Sequence, residues 1–312
     1  MLHLYRTDQR KAMTMINLPE ILESNDIQRV ATGYTFTEGP LWHPDGVFYF
    51  NDIRPGALYR VKLGEAPVLI RKTNNGNGMT FDLQGRMIQC EGEGKRVTRG
   101  VDIGEPETLV DSFEGGKLNR PNDAICHSNG DLYFTDPGMS VPFADREQHT
   151  SEDAIILWAG SRVYRITPAG VMTPIVTCEY PNGLAFSPDE RVLYVANTGS
   201  TKYIHAIDLD SNGNMARRRI FADLSEGDEP GFPDGMKVDQ KGRVFCTGPG
   251  GIWVLEPDGT KLGVIRLPEQ AINMTFGGDD LRTMLVTAHT SVYTMRVRTP
   301  GMPHPWYALH RA

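Results

Sequence analysis

The sequence predicts an all-β protein, a six-bladed β-propeller with four antiparallel strands in each blade. Long helical patterns are scarce in the 312 residues, and short alternating or β-branched runs lie between Gly, Pro, Asn and Asp residues. Such runs are typical of a chain with many short strands. One sequence phrase also recurs six times at spacings of roughly 40–60 residues, which is the length of a propeller blade.

The repeated phrase supplies the two inner strands of each blade. It begins with a polar residue, which is usually followed by Gly. An apolar stretch, a tight turn and a second apolar stretch come next, as in NGMTFDLQGRMIQ. The turn joins two antiparallel strands, A and B, counted outward from the propeller axis. The copies begin at six positions: Glu38, Asn77, Asn122, Asn182, Asp234 and Ile272. The last copy is the weakest, because its Asn stands one position late.

Two further runs after most copies supply the outer strands, C and D. Examples are SRVYRITPAGVMTPIV (161–176) and GIWVLEPDGTKLGVIRL (251–267), each with a turn at its centre. A ring must also be closed, and DIQRVATGY (26–34) is the predicted outer strand of the last blade. The predicted domains are therefore a partly disordered tail, 1–25, and a single propeller, 26–312.

Strand direction predicts which segments share a face of the ring. Because successive strands are antiparallel, D–A and B–C loops lie on one face, and A–B and C–D turns lie on the other. Pro-Asp-Gly occurs three times in the chain. The copies at 44–46 and 257–259 are predicted turns on the second face, whereas the copy at 233–235 places Asp234 at the start of an inner strand. An insertion in blade three, 139–161, is predicted to lie on the first face, where it forms either a lid or wall of the site or a mobile loop without a role.

Composition excludes several classes of function. The net charge is −7, from 32 basic and 39 acidic residues, and no basic run suggests a nucleic-acid partner. Four cysteines stand without CxxC spacing, which indicates neither a zinc ribbon nor a disulfide framework. No apolar run has the length of a membrane span, so we expect a cytoplasmic protein without a membrane partner. The sequence leaves the oligomeric state open.

The polar residues that begin the inner strands are the candidate site. Five copies place Glu, Asn or Asp there, and all five side chains are expected to point into one central channel. Carboxylate and amide oxygens suit a hard divalent cation, so the sequence predicts one such ion, with Ca²⁺ favoured over Mg²⁺, Mn²⁺ or Zn²⁺. The alternative is that these side chains only form Asx turns at the starts of strands.

Four phrases in blade order resemble the SMP-30/gluconolactonase/LRE family. They are Glu38-Gly39-Pro40, Arg120-Pro121-Asn122-Asp123, Pro181-Asn182-Gly183-Leu184 and Pro233-Asp234-Gly235-Met236. The resemblance covers about residues 30–298, and CEGEGKRVTR (90–99) and TDPG (135–138) are closer to the bacterial gluconolactonases. It implies a six-bladed propeller that hydrolyses a sugar lactone, such as gluconolactone, to the aldonic acid with the help of a divalent metal.

The resemblance also implies roles for individual residues. The metal ligands would be Glu38, Asn182 and Asp234, and the metal would polarise the lactone carbonyl. Asp234, or a metal-bound water that it deprotonates, would supply the attacking oxygen, so that Asp234 and Glu38 are the catalytic carboxylates. Arg120 and Asn122 would bind and orient the lactone. Asp136, in the B–C loop of blade three, would be a further polar contact with the substrate.

Other readings of the same residues stay open. The site could instead hydrolyse an organophosphate or a non-sugar lactone, or the propeller could bind calcium without catalysis. DLDSNGN (208–214) imitates the start of an EF-hand loop, but Arg219 stands where a bidentate Glu is needed. No GxSxG motif occurs, which argues against a serine hydrolase. His289 faces the predicted site as either an auxiliary base or an ordinary loop histidine.

Overall fold

The protein is an all-β ring of six four-stranded antiparallel sheets, as the sequence predicts. The computed structural model describes residues 18–101, 104–138, 160–226 and 228–310, with side chains described as far as residue 307. The inner strand of every blade contacts the inner strands of both neighbouring blades, which closes the ring. The predicted insertion lies outside the described residues except for 160–161.

The first half of the ring follows the strand β1 (Gln28–Thr32). Blade one consists of β2 (Thr37–His43), β3 (Val47–Asp52), β4 (Ala57–Val61) and β5 (Val68–Lys72). Blade two consists of β6 (Gly76–Phe81), β7 (Met87–Glu91), β8 (Arg96–Gly100) and β9 (Glu107–Val110). A small hairpin follows, made of β10 (Ser112–Phe113) and β11 (Gly116–Lys117). Blade three consists of β12 (Ala124–Cys126), β13 (Leu132–Asp136), β14 (Arg162–Ile166) and β15 (Met172–Thr177).

The second half repeats the same order of strands. Blade four consists of β16 (Pro181–Phe186), β17 (Val192–Asn197), β18 (Tyr203–Leu209) and β19 (Met215–Asp223). Blade five consists of β20 (Met236–Val238), β21 (Val244–Gly248), β22 (Gly251–Leu255) and β23 (Lys261–Ile265). Blade six contains β24 (Ala271–Gly277), β25 (Thr283–Ala288) and β26 (Ser291–Arg296). A short helix, α1 (Pro305–His310), ends the described chain.

The N-terminal strand completes the last blade and confirms the predicted closure. Strand β1 pairs antiparallel with β26, with Gln28 opposite Thr294 and Thr32 opposite Ser291. Closure by both ends of the chain ties the first strand to the last and leaves no blade incomplete. Part of the predicted tail also packs on the propeller, because Leu18, Ile21 and Leu22 are buried against blades five and six.

The start of each inner strand is shaped by close contact between blades. A Cβ atom at Gly183 would collide with the backbone carbonyl of Asp234, so only Gly lets the two blades approach. The Gly183 N–H instead donates to that carbonyl at 3.1 Å. Register shifts lie at the same place in blades one, two, four and six. Such bulges re-aim side chains, here toward the axis.

The C-terminal segment, absent from the sequence prediction, covers the far end of the channel. The Tyr307 hydroxyl donates to the Trp42 carbonyl at 2.6 Å, and the His304 ring lies 3.1 Å from the Thr80 hydroxyl. Trp306 packs against Phe81. A small cavity of about 130 Å³ remains between this segment and the inner strands. No helix in the described part of the chain has the length and apolar character that a membrane span requires.

Candidate active site

A cavity of about 640 Å³ opens on the face where the inner strands begin. All six blades contribute to its wall. The polar residues that line it include most of the predicted site: Glu38, Asn77, Arg120, Asn122, Asn182 and Asp234. Segments separated by up to about two hundred residues in the chain therefore meet around one axis. Several polar groups that converge in one cavity are typical of a ligand-binding or active site.

Glu38, in β2, is the more deeply buried of the two predicted catalytic carboxylates, with 3% of its surface exposed. Its Oε2 atom accepts a hydrogen bond from the Asn273 amide at 2.9 Å and another from the Gly39 backbone N–H. Burial and repulsion from Asp123 raise the pKa of Glu38 to about 7, although these two donors and Lys237 act in the opposite direction. A positive charge beside Glu38 would therefore be strongly stabilising.

Asp234 lies just before β20 and is held by an arrangement that starts at Asn182. The Asn182 amide donates to the Thr198 hydroxyl at 2.9 Å, and that hydroxyl donates to the Pro233 carbonyl at 2.5 Å. Burial and repulsion from Glu38 and Asp123 raise the pKa of Asp234 well above its ordinary value, while the Asn182 amide lowers it. Blade four thus fixes the backbone next to the second carboxylate.

The donor set of the cavity fits a hard divalent cation. Its potential ligands are carboxylate and carboxamide oxygens, and the Oδ1 atoms of Asn75 and Asn77 are buried without a hydrogen-bond partner among the described residues. No three His, Cys, Asp or Glu side chains group together in the described ranges, so amides would have to complete any shell. Oxygen-only donors of this kind suit Ca²⁺ or Mg²⁺ better than Zn²⁺.

Arg120 stands at the rim of the cavity and is partly exposed. Its guanidinium lies 3.1 Å from the Glu93 carboxylate, which also stands at the surface. Its aliphatic stem runs past Gly92, where a Cβ atom would be 3.1 Å from the Arg120 Cγ atom. The side chain is thus directed along the cavity wall, where a polar ligand can replace or join the acidic partner.

Asp136 occupies a different place from the one predicted. It is the last residue of β13, it is buried, and it is not among the described residues that line the cavity. Its two oxygens accept the backbone N–H groups of Arg120 at 2.7 Å and Asn119 at 2.9 Å. Burial raises the pKa of Asp136 to about 6, although these hydrogen bonds lower it. The carboxylate therefore anchors the loop that carries Arg120.

This anchor recurs in other blades, and sequence reasoning missed it. At the end of strand B, Asp52 accepts from the Phe36 N–H at 2.9 Å and Asn197 accepts from the Tyr180 N–H at 2.8 Å. Both donors belong to loops that line the cavity. The available signal was an acid or amide at the same repeat position, visible in YFND (49–52), YFTD (133–136) and YVAN (194–197).

Two further residues of the channel were not predicted as functional. Asp123 and Asn273 stand at the second position of their copies and are both buried. The late Asn of the sixth copy was visible in the sequence, but only the structure shows that it contacts Glu38. His289 is exposed, and its ring lies against Phe36, a residue of the cavity wall.

Comparison with known proteins relates this chain to lactonases. Residues 36–290 match the SMP-30/Gluconolactonase/LRE-like region. A gluconolactonase from Zymomonas mobilis subsp. mobilis is 31% identical over 302 residues, which cover 89% of this chain and 83% of that protein. A pentonolactonase from Haloferax volcanii is 32% identical over 270 residues, which cover 83% of this chain and 83% of that protein.

A solved structure gives the same picture. The gluconolactonase from Xanthomonas campestris is similar to this chain with a TM-score of 0.78 and 30% sequence identity. The match covers 91% of this chain and 93% of that one. The likeness therefore spans the whole ring of blades and includes the segments that carry the cavity.

Proposed function

The chain belongs to the SMP-30/gluconolactonase/LRE family, and from this premise we propose that it hydrolyses a sugar lactone to the aldonic acid. The relatives named as gluconolactonase and pentonolactonase support an aldonolactone as the substrate. The observation that carries the proposal is the convergence of Glu38, Asn182 and Asp234 in one cavity of about 640 Å³. This volume accommodates a ligand of the size of a sugar lactone.

One divalent cation belongs to this proposal, with Glu38, Asn182 and Asp234 as the residues that would hold it. Burial and the charge of Asp123 raise the pKa of both carboxylates, and Glu38 further raises the pKa of Asp234, so a cation there would keep both ionised. The proposed ion is Ca²⁺, since the donors are all oxygen atoms and Ca²⁺ tolerates a more variable coordination geometry than Mg²⁺ does. When bound, such a cation polarises the lactone carbonyl and stabilises the oxyanion that forms during hydrolysis.

Asp234 is the proposed general base. A water molecule attacks the carbonyl carbon of the lactone, and the Asp234 carboxylate accepts the proton that this water loses. The bond between the carbonyl carbon and the ring oxygen then breaks, and the ring oxygen takes a proton from Asp234 to become a hydroxyl group. A base works best when its pKa lies near the working pH, and the buried surroundings of Asp234 raise its pKa.

Arg120 and Asn122 are the proposed residues that orient the lactone. Both line the cavity, where their donor groups can reach the sugar hydroxyls and the ring oxygen. Asp136 contributes indirectly, because its carboxylate holds the backbone of Arg120. Correct placement of a bound ester relative to the base accounts for a large part of the rate enhancement of many enzymes.

Hydrolysis of glucono-, xylono- and galactono-lactone by the full-length protein tests the proposal. We expect acid release above the spontaneous rate, its loss after treatment with a chelator, and recovery when Ca²⁺ is added. A protein that hydrolyses only an organophosphate or a non-sugar lactone would contradict the substrate class. A protein that binds Ca²⁺ without any hydrolysis would contradict catalysis, and unchanged hydrolysis in the chelator would contradict the metal.

A further inference from the structure

Directly behind the ring of polar residues, the channel contains a second polar layer made by Asp123 and Asn273, which we call the inner pair. In four of the six copies the residue after the first position is a glycine: Gly39, Gly78, Gly183 and Gly235. Blades three and six have Asp123 and Asn273 at this place instead. The exceptions to the glycine pattern are therefore both polar, and both face the axis where the blades meet.

The packing of the inner strands leaves room for these two side chains. A Cβ atom at Gly78 would collide with the Asp123 side chain, and a Cβ atom at Gly235 would collide with the Asn273 side chain. Each member of the inner pair thus fills the space that a glycine of the preceding blade leaves open. Both side chains are almost fully buried, with 4% and 3% of their surfaces exposed.

Asn273 fixes one oxygen of Glu38. Its Nδ2 atom donates to Glu38 Oε2 at 2.9 Å, and its Oδ1 atom accepts the Met274 backbone N–H at 2.8 Å. The backbone contact defines which end of the amide faces Glu38. Since Oε2 also accepts the Gly39 N–H, it is held by two donors, and Oε1 is the Glu38 oxygen that stays available for coordination.

Asp123 contributes a buried negative charge, and Lys237 and the Leu184 backbone N–H offset the cost of this charge only in part, since burial still raises the pKa of Asp123. Its Oδ1 atom accepts the Ala124 N–H at 2.8 Å, but its buried Oδ2 atom has no hydrogen-bond partner among the described residues. The Asn273 amide interacts with the Asp123 carboxylate as well as with Glu38, so the charge of Asp123 lies close to the proposed ligand Glu38. An incompletely paired buried carboxylate costs stability, so its presence needs an explanation outside the fold.

We propose that the inner pair sets the affinity of the site for its divalent cation. Asn273 orients Glu38, and the charge of Asp123 makes the potential at the site more negative without coordinating the ion. Both are positioning residues that act on the cation through the proposed ligands. The inference rests on the metal site of the proposed function. It states that two residues outside the ligand set contribute to the affinity for the cation.

The test is calorimetric titration of the full-length, chelator-treated protein with Ca²⁺ alone, together with thermal unfolding in the metal-free state. We expect Asp123→Asn to weaken Ca²⁺ binding at least tenfold and, because it removes a buried carboxylate whose Oδ2 atom has no hydrogen-bond partner among the described residues, to raise the metal-free Tm. Asn273→Ala is expected to weaken Ca²⁺ binding as well. Asp82→Asn is the matched control, since Asp82 is a buried acid in the A–B turn of blade two on the far face.

The control variant should lose Tm, because Asp82 accepts backbone and side-chain hydrogen bonds from Arg86, but it should bind Ca²⁺ like the wild type. Wild-type affinity in Asp123→Asn would overturn the inference. A loss of affinity accompanied by a lower metal-free Tm would also overturn it, since that pattern indicates a merely structural role. Failure of the wild type to bind Ca²⁺, Mg²⁺ or Mn²⁺ would overturn the proposed metal site together with the inference.

Discussion

The Asp136 carboxylate accepts the backbone N–H of Arg120 at 2.7 Å, so a buried acid at the end of β13 holds the loop that carries the rim arginine. Its second oxygen holds the Asn119 N–H at 2.9 Å. Within the described ranges, the Arg120 guanidinium forms an exposed ion pair with Glu93, and such a pair fixes a side chain weakly. The position of Arg120 is therefore determined mainly through its backbone.

Replacement of Asp136 should impair substrate binding without contact between Asp136 and the substrate. We expect Asp136→Ala to raise KM for a lactone about tenfold and to affect kcat less, because Arg120 is misplaced while the carboxylates remain. The loss of two acceptors should also lower the free energy of unfolding by roughly 1–3 kcal/mol. Steady-state kinetics and denaturant unfolding of the same preparations measure both effects.

Asp136→Asn is the conservative comparison, because it keeps one acceptor oxygen and should lie between the wild type and Asp136→Ala in KM. Arg120→Ala provides the reference for complete loss of the rim contact. If Asp136→Ala destabilises the protein but leaves KM unchanged, Asp136 is an anchor of the fold and does not position Arg120 for substrate.

Removal of either proposed catalytic carboxylate should strongly slow hydrolysis without unfolding the protein. We expect Asp234→Asn and Glu38→Gln to lower kcat by about 10²–10⁴-fold, the usual contribution of a general base. The metal-free Tm should not fall, since each substitution removes repulsion between Glu38 and Asp234. Steady-state kinetics of lactone hydrolysis measures the change in kcat, and thermal unfolding in the presence of a chelator measures the metal-free Tm. Hydrolysis at the wild-type rate by both variants would remove these residues from the mechanism.

The number of blades and the closure of the ring were predictable because each blade repeats a local pattern. Tight turns, alternating apolar residues and a polar residue at the start of strand A are all visible along the chain. The outer strand β1 was predictable because a closed ring needs one strand from the other end of the chain. The convergence of Glu38, Asn182 and Asp234 in the cavity follows from the same repeat.

The parts that escaped prediction depend on contacts between segments that no repeat pattern specifies. The sequence predicted Asp136 as a substrate contact in the B–C loop, and only its distance from the Arg120 N–H shows that it anchors that loop. Asn273 is one position out of phase, yet the closure of the ring brings it to Glu38 in the adjacent blade one. The C-terminal segment carries no repeat signal at all, although Tyr307 and Trp306 are buried on blades one and two.

His304 should make the stability of the protein depend on pH. Burial lowers its pKa to about 4, and Nδ1 accepts the Trp306 N–H at 3.1 Å, so the neutral ring carries its proton on Nε2, next to the Thr80 hydroxyl. In the unfolded chain an ordinary histidine has a pKa of about 6.5. The unfolded state therefore binds more protons between these values, and the free energy of unfolding should fall as pH decreases from about 6.5 to 4.

The comparison of wild type with His304→Asn isolates this contribution, because an Asn oxygen can still accept the Trp306 N–H. We expect the wild type to lose up to about 3 kcal/mol more than the variant between pH 7.5 and pH 4 in denaturant unfolding. His205, whose pKa burial also lowers to about 4, acts in both proteins and cancels in the difference. Parallel curves for the two proteins would show that His304 is not buried in its neutral form.

Gly183 should not tolerate even one added methyl group. A Cβ atom there would collide with the backbone carbonyl of Asp234, and the atoms next to it are also backbone, which cannot move aside without separating blades four and five. Gly183→Ala should therefore lower the free energy of unfolding by more than about 2 kcal/mol and displace Asp234, with a loss of kcat.

Gly116→Ala is the matched control, because the only atom near its Cβ would be the Phe113 carbonyl oxygen at 3.6 Å, an ordinary contact distance. We expect the control to unfold and to hydrolyse lactone like the wild type, and equal behaviour of the two variants would contradict the tight contact between these blades.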